Sequence, residues 1–356
     1  MNAAAAALSP PLKPEATLMH RETHEAIDAV AHQLARNDEA INRLAGTLRK
    51  YPPRFIVTCA RGSSDHAATF AKYVFETQLG LVTASASPST SSIYASRQKL
   101  DGALYLAISQ SGRSPDIVNH AKAARRAGAR VVALVNAKES PLAEAAHTVI
   151  PLLAGGEHSV AATKSYICSL SAILHLASRW KDEPALIDAL AAVPEQMREG
   201  WDRDWSALVE GLAGTRNMFV VGRGFGLAAA QEAALKFKET CGLHAEGFSA
   251  AEVKHGPMTL VGPGFPLLFL TQPDDSLPGT LETAREFHAR GATVWVAGAD
   301  LPADVPGVLP AAPVRHPACA PLALMPSFYK AVNALAVRRG RNPDAPPHLN
   351  KVTSTV

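Results

Sequence analysis

Apolar residues along this chain keep two rhythms. Short continuous runs read as buried parallel strands: Phe55 to Cys59, Leu104 to Ile108, Met218 to Val221 and Leu267 to Leu270. Between them lie helically spaced segments. Ile27, Val30 and Leu34 mark one face of an amphipathic helix over Met19 to Lys50. Ile117, Ala121 and Ala124 mark a helix opened by Pro115-Asp116, and Ile187, Leu190, Val193 and Met197 mark helical linkage over 184–211, which Pro194 breaks or kinks. Strands and helices joined by short loops predict α/β architecture with mainly parallel sheets.

The pattern occurs twice. Phe55 to Gly62 runs into a glycine turn, with Ser63-Ser64-Asp65 expected to cap a helix reaching about Thr77. At an offset of 162 residues, from Arg61 to Arg223, Met218 to Gly224 repeats the turn and leads into a helix ending near Glu239. The same offset sets Leu267–Thr271 against Tyr105–Ser109, and Gly128 to Val132 matches Gly291 to Trp295 with one residue inserted. Two tandem three-layer αβα sandwiches follow, each binding ligands at the carboxyl ends of its strands. The expected segments are a mobile arm over 1–17, a first domain over 18–182, a helical linker over 183–212, a second domain over 213–340 and a tail over 341–356.

The copies differ where ligands bind. After the first copy's apolar run Leu104 to Ile108 comes Ser109-Gln110-Ser111-Gly112-Arg113-Ser114, then a helix N-terminus. Backbone N–H groups, the helix dipole and three hydroxyls make an anion cradle there, and no Lys is needed. The plainer alternative is a βα turn with Ser as N-cap. The second copy has Thr271-Gln272-Pro273-Asp274-Asp275, where proline removes a donor and carboxylates repel phosphate. The anion site is therefore expected in the first domain alone.

Composition narrows the function classes. The 356 residues are 47% apolar, with net charge +3 and no basic run longer than pairs such as Arg125-Arg126. Nucleic acid and membrane are not expected partners. The four cysteines, Cys59, Cys168, Cys241 and Cys319, form no CxxC pair and read as reduced thiols of a cytoplasmic protein. Met1 to Leu8 is Ala-rich without a basic region, unlike a signal peptide.

Three stretches of the second half carry candidate chemistry. Glu232, Lys236 and Glu239 stand at i, i+4 and i+7, on one helical face. A solvated ion pair would explain them, but the helix is otherwise rich in alanine, and an apolar setting raises a carboxyl toward the range useful for proton transfer. His255-Gly256-Pro257 marks a loop, where His is either a proton shuttle or an idle surface group. His244, Glu246 and His255 fit no standard metal spacing, so no metal is expected. The tail from Asn342 to Thr353 is stiffened by proline, and its Lys351 suits a Schiff-base amine or a clamp over a pocket.

The repeat, the Ser109–Gly112 loop and the stretch Gly155-Gly156-Glu157-His158-Ser159-Val160-Ala161-Ala162-Thr163-Lys164 resemble tandem SIS (sugar isomerase) domains. Glu232–Pro257 and Pro347–Thr353 resemble the isomerase half of glucosamine-6-phosphate synthase. The resemblance implies that Ser64, Ser109, Gln110, Ser111 and Ser114, with Ser63 beside them, bind phosphate, and that Val160 and Thr163 meet sugar hydroxyls. It implies that Glu239 moves a proton between C1 and C2, with Glu232 and Lys236 near it. His255, supplied by the neighbouring subunit, would open the ring, and Lys351 would meet the open-chain sugar. A homodimer with shared active sites follows. So does an amino sugar phosphate substrate whose own carbonyl–amine system makes a cofactor unnecessary.

The synthases also carry a glutaminase with a Cys exposed after Met removal; Asn2 stands here, and about 50 residues precede the first strand. The expectation is therefore closest to the SIS-type glucosamine-6-phosphate deaminases. A glutaminase-less synthase-like isomerase, a fructosamine-6-phosphate deglycase, a galactosamine-6-phosphate deaminase and a sugar-phosphate-sensing regulator are the alternatives. Internally the chain departs from the synthases at Ala162, for their Ser, and at Asp65-His66, for their Tyr-Asn.

Overall fold

The computed structural model describes residues 12–351. Helix α1 (Leu18–Lys50) leads into β1 (Phe55–Cys59), α2 (Ser63–Leu79), β2 (Thr83–Ser85), α3 (Ser89–Ser92), β3 (Ala103–Ser109), α4 (Pro115–Arg126), β4 (Arg130–Val135), α5 (Pro141–Ala145), β5 (Thr148–Pro151) and α6 (Lys164–Lys181). Three short helices follow: α7 (Pro184–Ala191), α8 (Val193–Asp202) and α9 (Ser206–Leu212). The second copy comprises β6 (Asn217–Gly222), α10 (Phe225–Cys241), β7 (His244–Ser249), β8 (Pro266–Leu270), α11 (Leu277–Ala289), β9 (Thr293–Gly298), β10 (Val308–Pro310) and α12 (Ala320–Arg338).

Both sheets are parallel and five-stranded. Their orders, β2-β1-β3-β4-β5 and β7-β6-β8-β9-β10, are the same winding used twice. Strand alternation splits each sheet's side chains between two cores. Ile56, Leu104, Leu106 and Ile108 join Val220, Leu268 and Leu270 in one continuous core that the two copies share, filled by the helices between the sheets. Val57, Cys59, Tyr105 and Ala107 face a separate outer core, as do Phe219, Val221, Leu267 and Phe269 on the other copy.

Local expectations are met with some changes. The 184–211 stretch breaks as expected, between α7 and α8, and Pro194 takes the second position of α8, where its missing N–H costs nothing. The cap of α2 is Gly62, at φ 57°, and not a serine; Ser63 and Ser64 are the first helical residues. Residues 12–17, assigned from their prolines to a mobile arm, include a 3-10 turn at Pro14–Ala16. The Thr17 hydroxyl meets Asn333 Oδ1 at 2.8 Å, and Asn333 donates to the Pro14 carbonyl at 2.9 Å. The rest of that arm, residues 1–11, lies outside the described residues, as do 352–356 of the tail. Asp344 in the tail accepts the Leu18 and Met19 N–H groups at 2.7 and 2.8 Å, so the start of α1 and the tail are bound together.

No helix among the described residues is long and apolar enough to cross a membrane. All four cysteines are buried and unpaired.

Candidate active site

In the first sheet the chain leaves β1 for β2 on one side and returns to β3 on the other. That reversal opens a crevice at the carboxyl ends of β1 and β3. A cleft of about 320 Å³ occupies it. One wall is the turn into α2, with Arg61, Ser63 and Ser64; another is the β3–α4 loop, with Ser109, Gln110, Ser111 and Ser114. Val160 and Ala162 line it from the segment before α6, Ser165 from the first turn of α6, Glu239 from α10, and Asn350 and Lys351 from the tail. A larger hollow, about 620 Å³, lies between residues 91–100 and α4, lined by Arg97 and Arg126 among small residues; no predicted site residue reaches it.

The serine loop is pre-shaped. Ser109 Oγ accepts the Gly112 N–H at 3.0 Å, and Ser111 Oγ accepts the Arg113 N–H at 3.3 Å. A hydroxyl that accepts keeps its own proton to donate, so both remain donors toward the cleft. Gly112 sits at φ 64°, and a Cβ there would stand 2.3 Å from Ser140 Oγ, so glycine alone fits. Ser114 occupies the N-cap of α4 but makes no capping bond, which leaves its hydroxyl unspent on the helix. At the corresponding position of the second sheet stands the side chain of Gln272, just past the end of β8. Its Nε2 lies 2.8 Å from the Arg223 carbonyl, 2.9 Å from Ser276 Oγ and 3.1 Å from an Asp274 carboxylate oxygen, three partners for two protons.

Glu232, Lys236 and Glu239 do lie on one face of α10, and it is not a solvated one. Glu232 and Lys236 are fully buried; Glu239 is 20% exposed and reaches the cleft. Lys236 Nζ contacts Glu239 Oε2, donates to Ser63 Oγ at 3.1 Å and stands 3.4 Å from Glu232 Oε1. Burial pushes the ammonium down, but Glu232 and Glu239 outweigh it and hold it above its ordinary range. The setting expected for Glu239, a carboxyl among apolar groups, is therefore corrected: an ammonium stands against it. Glu232 Oε1 accepts the Tyr329 hydroxyl at 2.9 Å, and Oε2 meets His66 Nδ1 at 2.9 Å.

The tail closes the cleft. Lys351 Nζ donates to the Ser159 carbonyl at 2.7 Å and to Glu157 Oε2 at 3.2 Å. Glu157 is buried and also accepts the N–H groups of Thr163 and Ser165, at 3.0 and 3.1 Å, and the Ser165 hydroxyl at 2.8 Å. Burial raises its carboxyl; Lys351 and these bonds outweigh burial and bring it below the usual range. Val160 donates to the Asp344 carbonyl at 3.1 Å, which seats the tail on the loop.

Some predicted residues stand apart from the cleft surface. Thr163 is buried, with its backbone turned to Glu157. His255 ends a 3-10 turn and is exposed, away from the cleft of its own chain. His244 and Glu246 are exposed on β7, and no group of three His, Cys, Asp or Glu among the described residues is placed to hold a metal.

Three contributors escaped the sequence reading. Arg61 lines the cleft with its guanidinium held on buried Asp116, at 3.0 Å from Nε and 2.9 Å from an Nη. Because Arg223 repeats it, comparing the copies does not single Arg61 out. Glu157 carries no spacing signal, and His66 was noted only as a departure.

Known proteins bear on this geometry. The SIS domain family model matches residues 51–179 and 211–301. The isomerizing glutamine–fructose-6-phosphate aminotransferase of Methanothermobacter thermautotrophicus is 33% identical over 341 residues, covering 94% of this chain and 56% of the relative. The chain thus spans little more than half the length of that relative. A crystal structure of a candidate phosphosugar isomerase from Silicibacter pomeroyi DSS-3 is 43% identical, with TM-score 0.88, over 92% of this chain and all of that one. The C-terminal domain of glucosamine-fructose-6-phosphate aminotransferase from Francisella tularensis shares the fold, at TM-score 0.83 and 24% identity over 96% of this chain and all of that one. With two matched segments, two sheets of one winding and a cleft at the expected switch point, this chain belongs to the SIS domain family.

Proposed function

We propose that this chain is a phosphosugar isomerase that acts on an amino sugar phosphate, converting glucosamine 6-phosphate and water to fructose 6-phosphate and ammonia. The observation that carries the reading is one cleft holding both a hydroxyl-lined anion cradle and a carboxylate paired with a buried ammonium. A phosphate on Ser64, Ser109, Gln110, Ser111 and Ser114, with Ser63 and Arg61 at the rim, would anchor the sugar so that its far end meets Glu239. The names of the relatives, an isomerizing aminotransferase and a candidate phosphosugar isomerase, agree with that substrate class.

The chemistry proceeds by proton movement. His255 of a second copy transfers a proton between O1 and O5, and the ring opens to the C1 aldehyde. Glu239 removes the C2 proton, giving an enolamine, and returns it to C1. The C2 imine adds water and releases ammonia. Lys351 donates to O1 as negative charge develops there. A positioned acid or base of this kind contributes about 10²–10⁴-fold. His255 is exposed and lies outside its own cleft, which suits a residue that serves a neighbouring copy in a homodimer.

Incubation of the purified chain with glucosamine 6-phosphate tests the reading directly. Fructose 6-phosphate and ammonia are expected in equal amounts, and a panel including galactosamine 6-phosphate and fructosamine 6-phosphate separates the related activities. The identity to the aminotransferase favours a second reading, a synthase-like isomerase. It predicts glucosamine 6-phosphate from fructose 6-phosphate and ammonium as the favoured direction. No turnover of any amino sugar phosphate in either direction removes both readings.

A further inference from the structure

A polar seam joins the two sandwiches directly behind Glu239. Helix α2 of the first packs along α10 of the second. Ser63 and His66, one turn apart on α2, face Lys236 and Glu232, one turn apart on α10. We propose that His66 is a positioning residue: by holding Glu232 across this seam, it keeps the Lys236 ammonium on Glu239 and so sets the strength of the base. This inference rests on the proposed role of Glu239.

The geometry is one of shared donors. A carboxylate only accepts, so His66 presents Nδ1–H to Glu232 Oε2. Tyr329 from α12 satisfies Oε1. With both oxygens served, Lys236 stands 3.4 Å from Glu232 and spends two of its three protons on Ser63 and Glu239. Without the imidazole, a buried carboxylate oxygen loses its donor, which is costly. The donor in reach is Lys236, through its third proton, and closing the 3.4 Å gap to Glu232 draws the ammonium off Glu239.

Other charged and titratable groups face the seam without replacing His66. Asp65 and Arg61 flank it on the first copy, and Tyr166 of α6 lies beside Glu232 with Tyr329. None of them hydrogen-bonds to Glu232 Oε2 in this arrangement. Ser63 and Ser64, which line the phosphate end of the cleft, begin the same helix that carries His66. The two ends of the cleft are thus set by one rigid element.

The test compares the full chain with His66→Ala and His66→Asn, the second of which offers an amide N–H in place of Nδ1–H. Carboxyl carbons of labelled glutamates are followed by NMR against pH without substrate, with Glu239→Gln assigning the resonance. Loss of the ammonium is expected to move the Glu239 titration of His66→Ala upward by about one pH unit. The acidic limb of kcat/KM for glucosamine 6-phosphate should move with it, while kcat falls about 10- to 100-fold and KM changes less than about threefold. His66→Asn should restore most of each effect. An unmoved Glu239 titration in His66→Ala overturns the proposal, as does an Asn variant no closer to wild type than Ala. If His66→Ala fails to fold, His66→Leu, which fills the same space without a donor, takes its place, and an unmoved Glu239 titration in that variant overturns the proposal. If wild type turns over nothing yet the titration moves, the assigned reaction fails and the positioning role stands.

Discussion

Single side chains divide the work at this cleft. Under the proposed reaction, Glu239→Gln should abolish hydrogen exchange at C2, read by mass spectrometry in deuterated water, while binding of the sugar phosphate by calorimetry stays within a few-fold. Retained exchange would remove Glu239 as the base. Ser109→Ala with Ser111→Ala should raise KM more than it lowers kcat, since a phosphate grip is mostly uniform binding; an equal affinity for unphosphorylated glucosamine would count against the cradle. Glu157 gives a pH dependence of stability whose sign is set. Its folded carboxyl lies below the ordinary value of 4.5, so its contribution is full above that value and is lost as pH falls through the folded one. Urea titrations between neutral pH and pH 3 should show that loss in wild type and a flatter dependence in Glu157→Gln.

Elements are held at fixed separations by small residues. Gly200 on α8 faces α12 so closely that a Cβ would stand 2.3 Å from the Ala323 carbonyl oxygen. Gly200→Ala should therefore destabilise the chain by about 1–3 kcal/mol. Gly214, in the turn before β6, has open space at the same point, so Gly214→Ala serves as the neutral control in a thermal melt. A helix of small side chains matters more at the site. Ala229, Ala230, Ala233 and Ala234 let α10 lie deep in the shared core, which is why Glu232 and Lys236 are buried there. Removing one charge from such a pair strands the other, and Lys236→Met should cost about 3–5 kcal/mol in chemical denaturation. The spacing of Glu232, Lys236 and Glu239 was legible in the sequence, and so was their common face. Their burial was not, because an i, i+4 ion pair looks the same on a solvated helix and on one sunk between two domains.

At the scale of the whole molecule, the two copies are one body. Their inner faces share a core, the tail bonds to the start of α1, and His66 and Ser63 bind across the seam. His255 lies outside this arrangement, and the proposed homodimer gives it a site in the neighbour. Glu239→Gln and His255→Ala should each be inactive alone. Mixed and reassembled, they should recover about a quarter of wild-type activity, because half of randomly formed twofold dimers are mixed and each mixed dimer keeps one intact site. No recovery from a demonstrably mixed population would place His255 in its own chain's cleft or outside the reaction.

Patterning along the chain was enough for the twofold α/β repeat, the strand ends that bear the cleft, and the asymmetry between a serine loop and its proline-bearing counterpart. These are local properties: hydrophobic period, turn chemistry and the donors of one loop. Which groups stand against Glu239, that Glu157 anchors Lys351, that Gln272 bonds back to the Arg223 turn of the second copy and that Arg61 reaches the first crevice were settled by folding. Each depends on contacts between residues far apart in sequence, and burial rather than spacing decides whether such a pair is a surface ornament or part of a site.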